Sequence, residues 1–290
     1  MKAAAFEYQK VQSVAQALSL LQTYGDDARL IAGGQSLLPS LNMRLSSPTL
    51  LVDLNGVQEL KGITKQDQVI RIGAMTTHTE IENSELIKEF LPMLSQAVPH
   101  IAHRAIRNLG TWGGSIVYGD PAAEWPACAI ALNATMVIAS SHGQRRVAAQ
   151  DFFQDIYTVD LSAEEILVAT EFPLSVVTSW NYFDELSRRH GDYAIAGIAM
   201  HLKYQAGKVE SNEIVFFSVG STPLRALKTS QLLNGQNTNA LADPSLNLQL
   251  VNQVKEEIST LSDLTNSAMM KTHLVGVLLG RALKQIPTLS

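Results

Sequence analysis

Apolar residues recur at helical spacing near the start of the chain and at strand spacing soon afterwards. Ser13 and Gln16 have the spacing of a capping box, and the apolar positions that follow predict a helix from about 14 to 24. A short apolar run predicts a strand over 29–32, followed by a short helical segment and a second β run over 49–54. The chain is therefore predicted to begin with a β-loop-helix-β unit.

The pattern continues to alternate between helix and strand as far as about residue 173. It predicts a hairpin from the strands 62–64 and 69–73, followed by two helices over 77–83 and 84–97. It then predicts three strands of one sheet over 135–139, 146–148 and 166–172.

After a short break over 173–179, the pattern changes to long strands followed by helices. It predicts an antiparallel meander over 182–186, 194–204 and 213–219, and then helices over 223–233, 248–261 and 269–286. A chain of 290 residues exceeds the usual size of one domain. We therefore predict two domains, residues 1–175 and 176–290.

Two double glycines stand out, each at the end of an apolar run or beside hydroxyl residues. Gly33 and Gly34 lie in LIAGGQSLLPSL, with Ser36 beside them, and a second pair lies in the TWGGS run over 111–115. Glycine permits backbone conformations in which successive N–H groups point into one concavity and hold an anion. Two such loops suit a ligand with two phosphates, although each on its own is also compatible with an ordinary tight turn.

Composition and charge limit the classes of function. The net charge of −5 and the pI near 5.8 give no basic field for nucleic acid or anionic lipid. No apolar run approaches the length of a membrane span and the first residues lack a signal-peptide core, so a cytoplasmic location is expected. The single cysteine, Cys128, leaves no thiolate set for an iron–sulfur cluster or a structural zinc site.

A search for catalytic and nucleotide-binding motifs gives little. The first loop lacks both the G-x-G-x-x-G fingerprint and the Gly-Lys-Ser/Thr of a P-loop, and G-x-S-x-G, H-E-x-x-H and C-x-x-C are absent. His100 and His103 lie three residues apart without a third ligand nearby, which favours a structural role. Arg104 and Arg107 precede the second loop and suit either a phosphate contact, a partner chain or the solvated surface.

Five motifs occur in one order along the chain: AGGQSLLP at 32–39, TWGGS at 111–115, GDPAAEWPA at 119–127, RRHGDYAIAG at 188–197 and VGSTPLRA at 219–226. Together they resemble the FAD-binding medium subunit of molybdenum hydroxylases, the family of carbon monoxide dehydrogenase and xanthine dehydrogenase. The resemblance implies an α+β fold with a vanillyl-alcohol-oxidase-type FAD-binding domain in two lobes. It also implies a C-terminal domain with a three-stranded antiparallel sheet and a helical bundle.

The same resemblance implies a set of FAD contacts. The two glycine loops match the family's pyrophosphate loops, and Leu167 matches a backbone contact on the adenine side. A carboxylate facing ribose accepts hydrogen bonds from sugar hydroxyls, which gives a role to acidic residues in the third motif. The implied cofactor-binding residues are Ala32, Gly33, Gly34, Gln35, Ser36, Leu37, Thr111, Gly113, Gly114, Ser115, Asp120, Glu124, Leu167 and Tyr193.

Tyr193 matches a position whose ring lies against the isoalloxazine, where it would exclude water from one face. Asp192 beside it suits an ion pair with Arg188 or Arg189 better than a flavin contact. Some positions depart from the family pattern. Gln35 replaces a histidine found in several relatives, so non-covalent FAD is expected, and an acidic pair at 184–185 stands where relatives often carry lysine. Trp112 replaces a small aliphatic residue inside the second loop.

The resemblance implies an electron-transfer role rather than a substrate site on this chain. A large molybdopterin subunit would oxidise the substrate, a small [2Fe-2S] subunit would relay electrons, and FAD here would pass them to an external acceptor. The assembly implied is a dimer of heterotrimers, without catalytic residues or a metal on this chain. Two alternatives stay open: a free-standing flavin oxidoreductase of the same fold, and a non-catalytic nucleotide-binding module.

Overall fold

The computed structural model describes residues 2–174 and 177–287. Within these ranges the strands are β1 (Glu7–Lys10), β2 (Ala28–Ile31), β3 (Leu50–Asp53), β4 (Ile63–Gln66), β5 (Val69–Gly73), β6 (Thr135–Ser140), β7 (Gly143–Ala148), β8 (Phe153–Asp155), β9 (Thr158–Val159), β10 (Ile166–Pro173), β11 (Ser179–Leu186), β12 (Ala196–Gln205), β13 (Lys208–Phe217) and β14 (Leu224–Arg225). The predicted domain boundary between 175 and 176 lies outside the described residues.

The helices over the same ranges are α1 (Val14–Tyr24), α2 (Leu37–Asn42), α3 (His78–Asn83), α4 (Glu85–Phe90), α5 (Pro92–Ala97), α6 (Arg104–Arg107), α7 (Trp112–Tyr118), α8 (Glu124–Ala131), α9 (Ala149–Phe152), α10 (Leu227–Leu233), α11 (Pro244–Glu257) and α12 (Ala268–Gln285). The first helix has its predicted bounds. Ser13 caps it by accepting from the Gln16 N–H, while the Gln16 side chain accepts from the N–H of Gln12.

The first part of the chain contains a parallel sheet in the order β1-β3-β2 and an antiparallel sheet in the order β4-β5-β10-β6-β7. The predicted hairpin and the three predicted strands of one sheet are confirmed by the second of these. The predicted helix over 84–97 is wrong in its continuity, because it breaks before Pro92, whose ring cannot continue the hydrogen-bond ladder. Short helices α6 to α9 lie in segments for which the periodicity gave no helix.

The C-terminal sheet has the order β11-β12-β13-β14, with every neighbouring pair antiparallel. The three-stranded meander is confirmed, and a fourth strand of two residues, β14, extends it. One face of this sheet packs into the core of the first part, through Phe183, Ala199, Val215 and Phe217. The other face carries Ile198, Met200 and Phe216 against the three C-terminal helices. The sheet therefore joins the two predicted domains through a continuous core.

Candidate functional site

The first glycine loop follows β2 and carries free backbone donors. Within the described part of the chain, the N–H groups of residues 33–37 donate to no other group. Gly34 has φ of +71°, which a residue with a side chain adopts with strain. The Asn55 side chain donates to the carbonyl of Ala32 over 3.1 Å and to Asp53, which fixes the loop to the end of β3. Five consecutive free amides in a turn form an anion-binding concavity.

The second glycine loop lies directly against the first. A Cβ on Gly33 would overlap the carbonyl of Leu109 and lie 2.8 Å from the Cα of Gly110. A Cβ on Gly114 would lie 3.8 Å from the Cβ of Ala32. The predicted proximity of the two loops is therefore confirmed. Gly33 is required for close approach rather than for a positive φ angle.

The donors of the second loop differ from the prediction. The N–H groups of Trp112 and Gly113 donate to the carbonyls of Thr76 and Ala74, each over 2.8 Å. The N–H groups of Gly114 and Ser115 donate to the side chain and the carbonyl of Thr111. These amides start helix α7 and are already satisfied, so the expectation of a second free amide nest is wrong. Thr111 itself is 3% exposed, with its Oγ1 used as the cap of α7, whereas Ser115 is half-buried.

Gly113 lies too close to Ala74 for any side chain at this position of the loop. A Cβ would lie 2.6 Å from the Cβ of Ala74 and 2.7 Å from its carbonyl oxygen. Trp112 is fully buried beneath the loop, and its Nε1 donates to Thr170 over 2.7 Å. The Trp112 indole is therefore accommodated by a hydrogen bond inside the core.

The other half of the predicted site lies at the C-terminal end of α7. Seven residues of helix span about 10 Å, which separates Asp120 from the glycine loops. The Ala122 N–H donates to Asp120 over 2.9 Å, and burial still raises the pKa of that carboxyl group. Desolvation raises the pKa of Tyr193, and the charge of Asp120 adds to this effect, which places the phenol near that carboxylate. Tyr193 is 74% exposed, leaving its ring available to a ligand.

Two tyrosines that the sequence reasoning missed belong to the same surface. Tyr118 and Tyr157 have ring centroids 5.1 Å apart, and the Tyr157 N–H donates to the Gly119 carbonyl. Burial raises the pKa of Tyr157 to about 12, with contributions from Asp120 and from the other two phenols. Tyr118 follows the TWGGS motif by three residues, so its position in the sequence could have pointed to it. Tyr157 lies on the β8–β9 hairpin, far from the motif in the sequence.

Glu124 begins helix α8, where its carboxyl group is desolvated. Burial, together with the negative charge of Glu185, raises its pKa to about 8. Leu167 is on the central strand β10 with its side chain in the core, so only its backbone is free to contact a cofactor. Gln35 folds back on its own loop, donating to the Gly33 carbonyl over 3.0 Å.

The charged residues near the loops have structural partners. Arg107 pairs with Glu82 at 3.2 Å and also donates to two backbone carbonyls, while Arg104 is exposed. Asp192 pairs with Arg189 at 3.4 Å, as predicted. Among the described residues no group of three or more His, Cys, Asp or Glu has the arrangement of a metal site. No helix within these ranges is both long and apolar enough to cross a membrane.

Two family models account for most of the chain. The FAD binding domain in molybdopterin dehydrogenase matches residues 4–175, and the CO dehydrogenase flavoprotein C-terminal domain matches residues 181–286. The chain belongs to this family. The family, the fold class and the FAD-binding part predicted from the sequence are thereby confirmed, and the chain is of the medium-subunit type of flavoprotein.

Relatives match over most of their length. The chain is 42% identical to the 6-hydroxypseudooxynicotine dehydrogenase complex subunit alpha of Paenarthrobacter nicotinovorans, over 80% of this chain and 79% of the relative. It is 32% identical to the caffeine dehydrogenase subunit beta of Pseudomonas sp. (strain CBB1), over 99% and 97%. Carbon monoxide dehydrogenase from Hydrogenophaga pseudoflava has a chain that superposes with a TM-score of 0.93 at 33% identity, covering 99% of this chain and 98% of that one.

Proposed function

We propose that this chain holds FAD non-covalently, with the diphosphate in the loop of residues 33–37. The free amides of this loop carry the proposal, because they offer five hydrogen-bond donors and can hold a diphosphate without a lysine or arginine. The start of α7 lies against the same loop, since a Cβ on Gly114 would lie 3.8 Å from the Cβ of Ala32. Backbone donors at fixed positions bind a diphosphate without the entropy cost of ordering long charged side chains.

Helix α7 sets the spacing between the two ends of the proposed site. With the diphosphate at its N-terminal end, a cofactor half extends along about 10 Å of helix to Asp120, Glu124 and Tyr193. Asp120 has one oxygen committed to the Ala122 N–H, and its other oxygen remains to accept a hydroxyl hydrogen bond. The exposed ring of Tyr193 supplies a flat surface for the isoalloxazine, and the backbone of Leu167 is proposed as the adenine-side contact.

The chain then acts as an electron carrier within a larger enzyme. Bound FAD accepts electrons one at a time and gives them up as a pair. We propose that a small [2Fe-2S] subunit delivers the electrons, that a large molybdopterin subunit oxidises the substrate, and that the assembly is a dimer of heterotrimers. The relatives support this, since the names of several describe subunits of dehydrogenase complexes. The residues of this chain bind and orient the flavin and exclude water from it.

We propose two domains, residues 1–175 and 176–290, with the boundary supported by the two matched ranges of 4–175 and 181–286. The proposed cytoplasmic location is supported by the single cysteine, Cys128, which is fully buried as a free thiol.

The test is to purify the full chain and measure its flavin content by absorbance and its affinity for FAD and for FMN. We expect a yellow protein that prefers FAD, because FMN lacks the diphosphate bridge. Reduction by small organic substrates is expected only after the partner subunits are added. A colourless chain that binds neither flavin would contradict the proposal and favour another nucleotide, and turnover by the isolated chain would indicate a free-standing oxidoreductase.

A further inference from the structure

Lys271 is a buried lysine near the start of α12, the last helix of the chain. It is 5% exposed, and its Nζ donates to the carbonyl of Ser218 over 2.7 Å and lies 2.8 Å from Oδ2 of Asp263. Burial of an ammonium group is costly, and a positive charge close to a helix N-terminus is also unfavourable. The helix on its own therefore gives no electrostatic reason for a lysine here, and the two acceptors account for its position.

Asp263 holds the outer side of this buried ammonium group. It lies in the loop between α11 and α12, and its side chain is 42% exposed. Its Oδ1 accepts from the N–H groups of Thr265 and Asn266 over 2.7 and 2.8 Å, and the Asn266 side chain donates to both of its oxygens. The loop thus fixes the carboxylate, and the carboxylate fixes the Lys271 ammonium group between the surface and the Ser218 carbonyl.

Ser218, on the inner side, is a point where several segments meet. Its φ of +62° lies in the left-handed region, which a residue with a side chain adopts only where its surroundings hold it. Its N–H donates to the carbonyl of Pro121 over 2.8 Å, and its Oγ donates to the carbonyl of Ala194. Since Lys271 donates to its carbonyl, the backbone N–H, the backbone carbonyl and the hydroxyl of Ser218 each bind a different segment.

Two of these segments border the proposed flavin site. Pro121 directly follows Asp120, and Ala194 directly follows Tyr193, whose ring is 74% exposed. Asp120 belongs to the proposed FAD-binding domain, whereas Tyr193 and Ser218 belong to the proposed C-terminal domain. Because Ser218 donates to the carbonyl beside each of the two site residues, its backbone sets the position of Tyr193 relative to Asp120.

We propose that Lys271 is a positioning residue for the flavin, an inference that rests on the proposed function. Its ammonium group holds Ser218 in the left-handed conformation from which both of these hydrogen bonds are made. The ring of Tyr193 is thereby kept against the isoalloxazine, while the FAD-binding domain supplies the remaining contacts. Lys271 acts on the cofactor only through Ser218, and the loop that carries Asp263 keeps the ammonium group in place.

The experiment compares four FAD-loaded forms of the full chain: the parent, Lys271→Met, Tyr193→Ala and the double variant. Methionine keeps most of the apolar stem of lysine and removes the ammonium group. Fluorescence of the bound flavin at saturating FAD reports contact with the Tyr193 ring, and a titration gives the FAD affinity. In Lys271→Met we expect fluorescence to rise several-fold, towards the Tyr193→Ala value, and affinity to fall about tenfold.

The double variant separates positioning from a general loss of structure. If Lys271 acts through the tyrosine ring, the double variant is no more fluorescent than Tyr193→Ala alone, because the two changes remove the same contact. An equal effect of Lys271→Met with and without the ring would show a purely structural role and overturn the inference. Lys284→Met, which changes an exposed lysine on the same helix, is the matched control and is expected to match the parent.

Asp263→Asn carries the test if Lys271→Met does not fold. Asparagine keeps an oxygen for the N–H groups of Thr265 and Asn266 but removes the charge that faces the ammonium group. We expect fluorescence to rise about twofold, and not to rise when Tyr193 is already alanine. Parent-like fluorescence with FAD bound, in whichever of the two variants folds, would overturn the positioning role and leave the proposed function intact. A parent chain that binds no FAD would overturn both.

Discussion

The carbonyl carbon of Leu109 lies 2.7 Å from the position that a Cβ on Gly33 would occupy. This approach is the contact that brings the two glycine loops together. It joins the loop after β2 to the segment that leads into α7. The two contacting residues, Gly33 and Leu109, are 76 positions apart in the sequence. This backbone contact holds the free amides of the first loop against the segment that begins α7.

Gly33→Ala is therefore expected to separate the two loops. The methyl group meets backbone atoms, which cannot move aside as a flexible side chain would, so the free amides of the first loop are displaced. Loss of one or two charge-assisted hydrogen bonds weakens FAD binding by about 10²-fold. Flavin content after gel filtration and a fluorescence titration with FAD measure the change.

Gly280→Ala is the matched control for that substitution. Gly280 lies within α12, and the nearest atom to its Cβ position is 3.7 Å away, an ordinary contact. Alanine there is expected to leave FAD binding unchanged and to stabilise the fold by about 0.5–1 kcal/mol. Equal FAD affinity in Gly33→Ala and Gly280→Ala would show that the loop contact does not shape the site.

Thr170→Val tests the hydrogen bond beneath the second loop. Trp112 and Thr170 are both fully buried, so the indole N–H left without Thr170 Oγ1 finds no water. The expected loss of stability is about 1–3 kcal/mol in the free energy of unfolding, measured in urea. Thr23→Val removes an exposed helix hydroxyl and is expected to change stability by less than about 0.5 kcal/mol. A fully stable Thr170→Val would contradict this reading of Trp112.

His78 gives the fold a specific acid sensitivity. It is 5% exposed and accepts a hydrogen bond from Trp125 Nε1 at its Nδ1 over 3.0 Å, which requires the neutral ring. Burial lowers its pKa to about 4, so between about pH 6.5 and pH 4 the unfolded state binds a proton that the folded state excludes. Stability is therefore expected to fall as pH drops through this window, by up to about 3 kcal/mol from His78.

Urea unfolding at several pH values across that window measures the effect. His78→Gln is expected to be less stable at neutral pH but to lose stability less steeply on acidification. His201 keeps part of the slope in that variant, because burial also lowers its pKa to about 4. His142→Gln, in an exposed turn, serves as control and keeps the parent slope. An unchanged slope in His78→Gln would rule out His78 as the source.

The conformation of the first glycine loop could be predicted from the sequence because it depends on neighbouring residues alone. Turn geometry, positive φ at Gly34 and free amides all follow from a strand that ends in two glycines. The prediction that the second loop offers free backbone N–H donors is wrong, because its Gly-Gly pair lies in the first turn of helix α7. The amides of Trp112 and Gly113 donate to the carbonyls of Thr76 and Ala74, residues whose proximity depends on how the sheet folds back, and those of Gly114 and Ser115 donate to Thr111.

The missed residues share a dependence on tertiary structure. Asn55 holds the first glycine loop and Tyr157 packs on Tyr118, and no spacing in the sequence relates either residue to the motifs. The sequence marks the acidic pair at 184–185 only as a departure from the family pattern. The two residues lie on opposite faces of the sheet, because side chains alternate along β11. Asp184 pairs with Arg281, whereas Glu185 is buried beside His100.

Ser218 links three segments around the exposed ring of Tyr193. Its N–H donates to the Pro121 carbonyl over 2.8 Å, its Oγ donates to the carbonyl of Ala194, and its own carbonyl accepts from the buried Lys271. The residue after Tyr193 is thus tied to the segment that follows Asp120. Ser218→Ala removes only the Oγ donor and is expected to leave the fold intact while loosening the position of Tyr193.

The expected result is retained FAD with a several-fold weaker affinity and increased flavin fluorescence, because a ring held less firmly quenches the flavin less. Fluorescence of the bound flavin at saturating FAD measures it. Ser211→Ala, an exposed position on strand β13, which ends just before Ser218, is expected to match the parent. Since Tyr193→Ala removes the ring altogether, its fluorescence sets the upper limit, and a Ser218→Ala value equal to the parent would show that this hydrogen bond does not position Tyr193.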